Sequence, residues 1–237
     1  MSMMLSDSHV VITGASRGLG RAIARVFHRT GARVSLTSRS EADLKQLADE
    51  LSAQCIIYPA DLRNKNEIAA CLNHFRMAHG PVDILINNAG VGAYRPFIEC
   101  SEEEILETLE LNLVGLVMVT RAVVEEMIER RRGQLIHIAS DLGRKPLAKM
   151  AVYTATKHGV VGFSQSLARE LKEYGIKSMV LTPGIIDTYF AGRKEGDLAG
   201  PGALTPEAVA EAVLFVASQP PHVLIDELSV HPIGQEF

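Results

Sequence analysis

Cysteine is scarce in this sequence. There are three, Cys55, Cys71 and Cys100, an odd number, widely spaced and without a CxxC pair. Buried or inert thiols in a reducing compartment are expected, rather than a disulfide framework or a zinc site. Long hydrophobic runs are missing too. The longest, LVGLVMV from Leu113 to Val119, is far too short to span a bilayer. The opening residues, MSMMLSDSHV, carry Asp7 and no apolar stretch, so they do not read as a signal peptide. A cytoplasmic protein with no membrane partner is the expectation. Positive charge is not in excess: 24 Lys and Arg stand against 28 Asp and Glu, a net charge of −4. That argues against nucleic acid or an anionic surface as the main partner. The eight histidines are scattered, with no H-x3-H and no HExxH, so no metal is expected. His137, inside an apolar run, reads as a core residue. A hydrolase elbow, GxSxG, is absent as well.

What is present is regular alternation. Apolar runs at 9–13, 33–38, 55–59, 82–87, 134–140, 177–182 and 222–230 are separated by segments of helical spacing. Those segments are roughly 18–30, 41–52, 64–79, 101–131, 151–174 and 205–218. Runs that are apolar throughout suit strands covered on both faces, as in a parallel sheet. The alternation predicts a single domain, residues 1–237, of Rossmann-type α/β fold: a doubly wound parallel sheet of about seven strands with helices on both faces. Ser101 followed by three glutamates reads as a capping box, and Thr205-Pro206 as another helix start. In such a sheet, ligands bind beyond the carboxyl ends of the strands, so function is expected just after each run.

The residues at those places are informative. After the first run comes TGASRGLG, where Gly14, Gly18 and Gly20 allow a tight turn and a close backbone approach to a pyrophosphate at a helix start. After the second run stand Ser38 and Arg39, where an NAD site places an acid. A guanidinium suits a 2′-phosphate, and Arg17 adds a second positive group, so NADP preference is expected. Asp61 follows the third run, placed to meet an adenine edge or to cap a helix. Asn87 to Gly90 (NNAG) follow the fourth. Ser140 follows the fifth, and 13 residues later come Tyr153 and Lys157, one helical turn apart on the same face. A phenol beside an ammonium is a means of making tyrosine acidic.

Together TGASRGLG, NNAG, Asn112, Ser140, YTATK and PGIIDT (183–188) resemble the short-chain dehydrogenase/reductase family over nearly the whole chain. The resemblance implies hydride exchange between NADP(H) and a carbonyl or alcohol. It implies a catalytic set of Asn112, Ser140, Tyr153 and Lys157. Tyr153 would be the general acid and base, Lys157 would lower its pKa and hold the nicotinamide ribose, and Ser140 would donate to the substrate oxygen. Asn112 would hold a water leading to solvent, or serve as a structural hydrogen bond. On the cofactor side the resemblance adds Ser16 and Leu19 in the glycine turn, Leu62 after Asp61, and Asn88, Ala89 and Gly90. It also adds Pro183, Gly184, Ile186 and Thr188 in the closing segment, with Tyr153 and Lys157 themselves.

Substrate walls are expected at 91–97, 141–150 and 187–204, the last a glycine-containing lid. Arg95, Arg144, Lys145 and Lys149 hint at an anionic substrate. The preferred expectation is an NADPH-dependent reductase of small or medium carbonyls. Reduction of 3-oxoacyl groups on acyl carrier protein is the second reading, with ERRRGQ (129–134) as a basic entrance, although Tyr174 and the tail DELSVHPIGQEF depart from that subgroup. A non-catalytic NADP(H)-binding sensor is the alternative from another class. The resemblance also implies a homodimer or homotetramer paired through the segments 101–131 and 151–174.

Overall fold

The computed structural model describes residues 5–51, 54–192, 196–198 and 200–235. Its strands are β1 (His9–Thr13), β2 (Arg33–Thr37), β3 (Cys55–Ile57), β4 (Ile84–Asn87), β5 (Gly133–Ile138), β6 (Ile176–Pro183) and β7 (Glu227–Val230). The helices are α1 (Gly18–His28), α2 (Glu41–Leu51), α3 (Lys65–His79), α4 (Glu102–Leu109), α5 (Leu116–Arg130), α6 (Ala151–Leu171) and α7 (Pro206–Ala217). All seven strands pair in parallel in the order β3-β2-β1-β4-β5-β6-β7. The order reverses between β1 and β4, which opens a crevice at their carboxyl ends.

Alternation along the strands explains the two-sided core. Val10 and Ile12 of β1 and Ile84 and Ile86 of β4 pack with α1, α2 and α7. Val11 and Leu85, one residue out of step, pack with α3 and α5 on the other face. Ser101 forms the expected capping box with Glu104, and Thr205 caps α7 through the Ala208 N–H. Among the described residues, no helix is long and apolar enough to cross a membrane.

Two expected elements differ. The segment 101–131 is not one regular helix. Residues Glu110–Gly115 form a π-helical turn between α4 and α5. There Gly115 passes so close to the Leu62 carbonyl that a Cβ would lie 2.7 Å from its oxygen. The run 222–230 yields strand only from Glu227, because Pro220 and Pro221 hold the preceding residues in a turn closed by Val223 N–H to Pro220 O.

The amino ends of the strands carry a buried polar cluster. His9 Nε2 meets Ser35 Oγ at 2.8 Å, and Ser35 Oγ meets His79 Nδ1 at 3.2 Å. His9 Nδ1 lies 2.8 Å from the Gly80 carbonyl. Burial lowers the His9 pKa to about 4. His137 of β5 is fully buried, as a core residue should be, and burial takes it to about 3. The unfolded chain protonates both near 6.5, so their neutral burial stabilises the fold above that pH. The contribution is lost as pH falls from 6.5 towards 4 for His9 and 3 for His137. We predict a loss of about 2 kcal/mol per histidine by pH 5. Urea unfolding at pH 7.5 and pH 5 measures it, and an unchanged midpoint would contradict the neutral burial.

Candidate active site

The crevice begins at the turn from β1 into α1. Gly14 and Gly18 take φ of +65° and +52°, a region that favours glycine. A Cβ on Gly20 would lie 2.2 Å from the Gly14 oxygen and 2.6 Å from Asn88 Nδ2. Arg17, at the N-cap of α1, gives no side-chain cap, so no capping side chain closes off the amides of the first turn. A helix start of this kind, reached over glycines, is a built cradle for an anionic group. Ser16 lies in the turn half-buried, whereas Leu19 turns into the core beneath it.

The mouth of β4 is clipped to this turn. Thr13 Oγ1 accepts from the N–H groups of Asn88 and Ala89, at 3.0 and 3.1 Å. Asn88 Nδ2 donates to the carbonyls of Thr13 and Gly14. Asn87, by contrast, is internal and bonds Thr120 and His137. Gly90 is exposed, with Asn112 and Lys157 beside it.

Beyond the ends of β2 and β3 lies a charged cluster. Arg39 pairs with Glu107 of α4 at 2.8 Å. Arg63 holds Asp61 and lies 3.8 Å from the same Glu107 oxygen. Arg63 depresses the Asp61 carboxyl below its usual range. The Asp61 carboxylate is engaged by a neighbouring guanidinium. Leu62 is buried. Ser38 turns its hydroxyl onto the backbone of Ser40.

At the mouth of β5 the three expected groups come together. Lys157 Nζ is buried, donates to the Ile138 carbonyl at 2.9 Å and lies 5.4 Å from the centre of the Tyr153 ring. Burial lowers the Lys157 pKa to about 8. The Tyr153 hydroxyl is pushed above its ordinary range, chiefly by burial. A hydrogen bond with Ser140 opposes this and the charge of Asp141 adds to it. Desolvation is the largest of these effects.

Two further side chains are engaged within the protein. Ser140 Oγ lies 2.9 Å from Asp141 Oδ1, to which it donates, and accepts from the Leu142 N–H. Asn112 lies in the π turn with Oδ1 on the Val91 N–H at 2.8 Å and Nδ2 on the Val91 carbonyl and Thr156. Its side chain ties the 91 loop to α6, which is the structural alternative.

The closing segment reaches across both ends. Pro183 completes β6, and Gly184 N–H bonds Val230 O. Ile186 bridges to Leu204, Thr188 touches the position of Gly18, and Tyr189 lies under the Arg17 guanidinium. The Phe190 ring meets that of Tyr153 at a tilt, with centroids 4.9 Å apart. The rest of the expected lid includes 193–195 and 199, which lie outside the described residues. A recess beside Tyr153 is lined by Ala93, Arg95, Phe97, Lys149 and Met150. Its cations are already engaged: Arg95 pairs with Glu104 and Lys149 covers Tyr94. Arg144, in the turn after β5, pairs with Glu227. These three give no support to an anionic substrate. Arg130 and Arg132 of the expected basic entrance pair with Asp83 at the amino ends of the strands, on the far side from the crevice.

Sequence reading did not find Glu107, Asp141 or Gln235, whose roles depend on contacts between distant segments. Only Asp141, adjacent to Ser140, carried a local signal.

A parallel doubly wound sheet with a glycine cradle at its switch point defines a Rossmann-type dinucleotide-binding fold. More particularly, the chain belongs to the short chain dehydrogenase family, whose model matches residues 8–198. Among its relatives is an NADP-dependent 3-hydroxy acid dehydrogenase of Shigella flexneri, 36% identical over 96% of both chains. The closed form of a serine dehydrogenase complexed with NADP+ superposes with a TM-score of 0.92 at 36% identity, covering 97% of this chain and 96% of that one. An alcohol dehydrogenase of the archaeon Thermococcus sibiricus, complexed with 5-hydroxy-NADP, gives 0.91 at 30% identity over 97% and 98%.

Gly20→Ala tests the cradle. The added methyl has backbone on one side and Asn88 on the other, so the turn has to open. We predict a loss of about 2 kcal/mol, read as a lower Tm. An unshifted Tm would show that the turn yields without cost.

Proposed function

We propose that the protein is an NADP(H)-dependent oxidoreductase that interconverts a carbonyl and a hydroxyl group on a small or medium-sized substrate, with Tyr153 as general acid and base. The observation that carries this reading is the meeting of Tyr153, Ser140 and Lys157 beside the cradle of the β1–α1 turn. The uncapped α1 start suits a pyrophosphate. Arg17 and Arg39 suit a 2′-phosphate, for which Arg39 exchanges its Glu107 partner. The stretch Asn88–Gly90 and the closing residues Pro183, Gly184, Ile186 and Thr188 would flank the rest of the dinucleotide.

When bound in its reduced form, that cofactor supplies the hydride for the carbonyl carbon. Tyr153 gives its proton to the carbonyl oxygen, and in reverse takes the proton of the hydroxyl. Burial holds Tyr153 as a phenol, which suits the acid role. Lys157, with its pKa lowered to about 8, exchanges a proton near neutral pH and is placed to restore the one Tyr153 gives up. The Phe190 ring covers Tyr153 and helps exclude water. Residues 187–204 are read as the substrate lid of one catalytic domain.

Relatives named for a 3-hydroxy acid and for serine favour short hydroxy acids as the first substrates to assay. The acyl-carrier-protein reading loses its basic entrance, since Arg130 and Arg132 pair with Asp83 at the other end of the sheet. A purely sensing role has no use for a half-buried phenol beside a buried ammonium. Homo-oligomer formation through α4, α5 and α6 is supported by the exposed Leu106, Val114 and Met118.

Absorbance at the reduced-nicotinamide band, followed with ketones, aldehydes, 3-oxo acids and, in reverse, hydroxy acids, tests the reading. Tyr153→Phe should lower kcat by about 100-fold or more while NADPH still binds. Retention of a tenth of the activity would overturn the assignment. Arg39→Asp should cut the preference for NADPH over NADH by about tenfold, because a carboxylate repels the 2′-phosphate. An unchanged ratio removes Arg39 from the cofactor site.

A further inference from the structure

The cation expected to meet a 2′-phosphate is already held from a distant helix. Arg39 follows β2 and Glu107 lies on α4, yet Arg39 Nη1 donates to Glu107 Oε1 at 2.8 Å. The local structure of α4 puts the carboxylate there. The Ser101–Glu104 capping box fixes the start of the helix. The π turn that follows it is anchored by Asn112 on the Val91 N–H. Between those two fixed points Glu107 faces the ends of β2 and β3. The same Glu107 oxygen lies 3.8 Å from Arg63 Nη1, while Arg63 Nε and Nη2 bond Asp61. Glu110, three residues on, adds negative charge near Arg63. Arg39 and Arg63 are thus matched by Asp61 and Glu107, and the cluster carries no surplus of positive charge. Ser38, at the same strand mouth, is bonded to the Ser40 backbone, and Arg17 lies over the Tyr189 ring.

We propose that Glu107 is a specificity-determining residue for the cofactor: its carboxylate competes with the 2′-phosphate of NADP(H) for the Arg39 guanidinium and so weakens the preference for NADP(H) over NAD(H). A guanidinium binds a carboxylate and a phosphate through the same fork of N–H groups. To receive the phosphate, Arg39 releases Glu107, whose charge then remains beside the incoming anion. A dinucleotide without that phosphate requires no exchange and leaves the ion pair intact. Preference is a difference between two affinities, so a cost borne by one cofactor alone sets the ratio.

The pair is built for exchange rather than for stability. Its side chains keep 53% and 30% of their exposure, and ion pairs this open hold weakly. Arg63 Nη1 stands on the other side of Glu107 and can take the released carboxylate. Solvent and salt screen the remaining repulsion, so the effect on preference is graded rather than absolute.

The inference rests on the function proposed above, in particular on Arg39 as the phosphate ligand, and its test separates the two. Calorimetric titration of the whole chain with NADPH and with NADH gives two dissociation constants, and their ratio is compared among variants. Glu107→Gln keeps the shape of the side chain and removes its charge. It should raise the preference for NADPH about fivefold, through tighter NADPH binding with NADH unchanged. Glu107→Lys should move the ratio further in the same direction. Placed on Arg39→Ala, Glu107→Gln should shift the ratio less than about twofold, because no guanidinium is left to release. Loss of α4 packing would weaken both dinucleotides together and leave the ratio where it was. A ratio unmoved in Glu107→Gln and Glu107→Lys, or an equal shift with and without Arg39, overturns the competition while the oxidoreductase reading stands. A wild type that binds neither dinucleotide overturns that reading and the inference with it.

Discussion

The mouth of the sheet depends on how closely two backbone turns approach each other. Thr13 and Asn88 hold the β1–α1 turn against the end of β4 through four hydrogen bonds. The approach is possible only because positions 14 and 20 lack side chains. From that clip follow the uncapped amides at the start of α1, the course of the chain through Gly90, and the place where Lys157 meets the loop. The interaction is local and polar, yet it sits on a core of apolar strands from both faces. The core supplies rigidity and the clip supplies geometry.

Burial is the second constraint, and it acts in opposite senses on neighbouring groups. It raises Tyr153 and lowers Lys157, so each favours its uncharged form. The negative charge of Asp141 adds to the rise at Tyr153. Further out, the Arg39–Glu107 and Arg63–Asp61 pairs are partly exposed and contribute little to stability.

Much of this was legible in the sequence, for reasons that can be stated. Seven apolar runs alternating with helical spacing carried the parallel sheet, because strands buried on both faces cannot hide their composition. Tyr153, Lys157 and Ser140 were recognisable because one helical turn and one strand mouth fix their relation. What escaped were pairings between segments far apart in the chain. Gln235 meets Asp141 across 94 residues, and Arg39 meets Glu107 across 68. Nothing in either local sequence announces its partner. Arg130 and Arg132 illustrate the opposite error. A basic cluster is easy to see, but only the fold tells which end of the sheet it decorates.

The π-helical turn at Glu110–Gly115 has a consequence for how one rod serves two masters. A π turn holds one residue more than an α turn, and each residue in a helix advances the side chains by about 100°. Winding the same residues as a regular α-helix would rotate everything downstream by about that angle. Val119, Val123 and Met127 would then swing off the sheet, or Asn112 would turn away from Val91. The added residue is thus a phase shifter. It allows a stripe dictated by greasy packing and a polar contact dictated by the crevice to coexist on a single continuous spine.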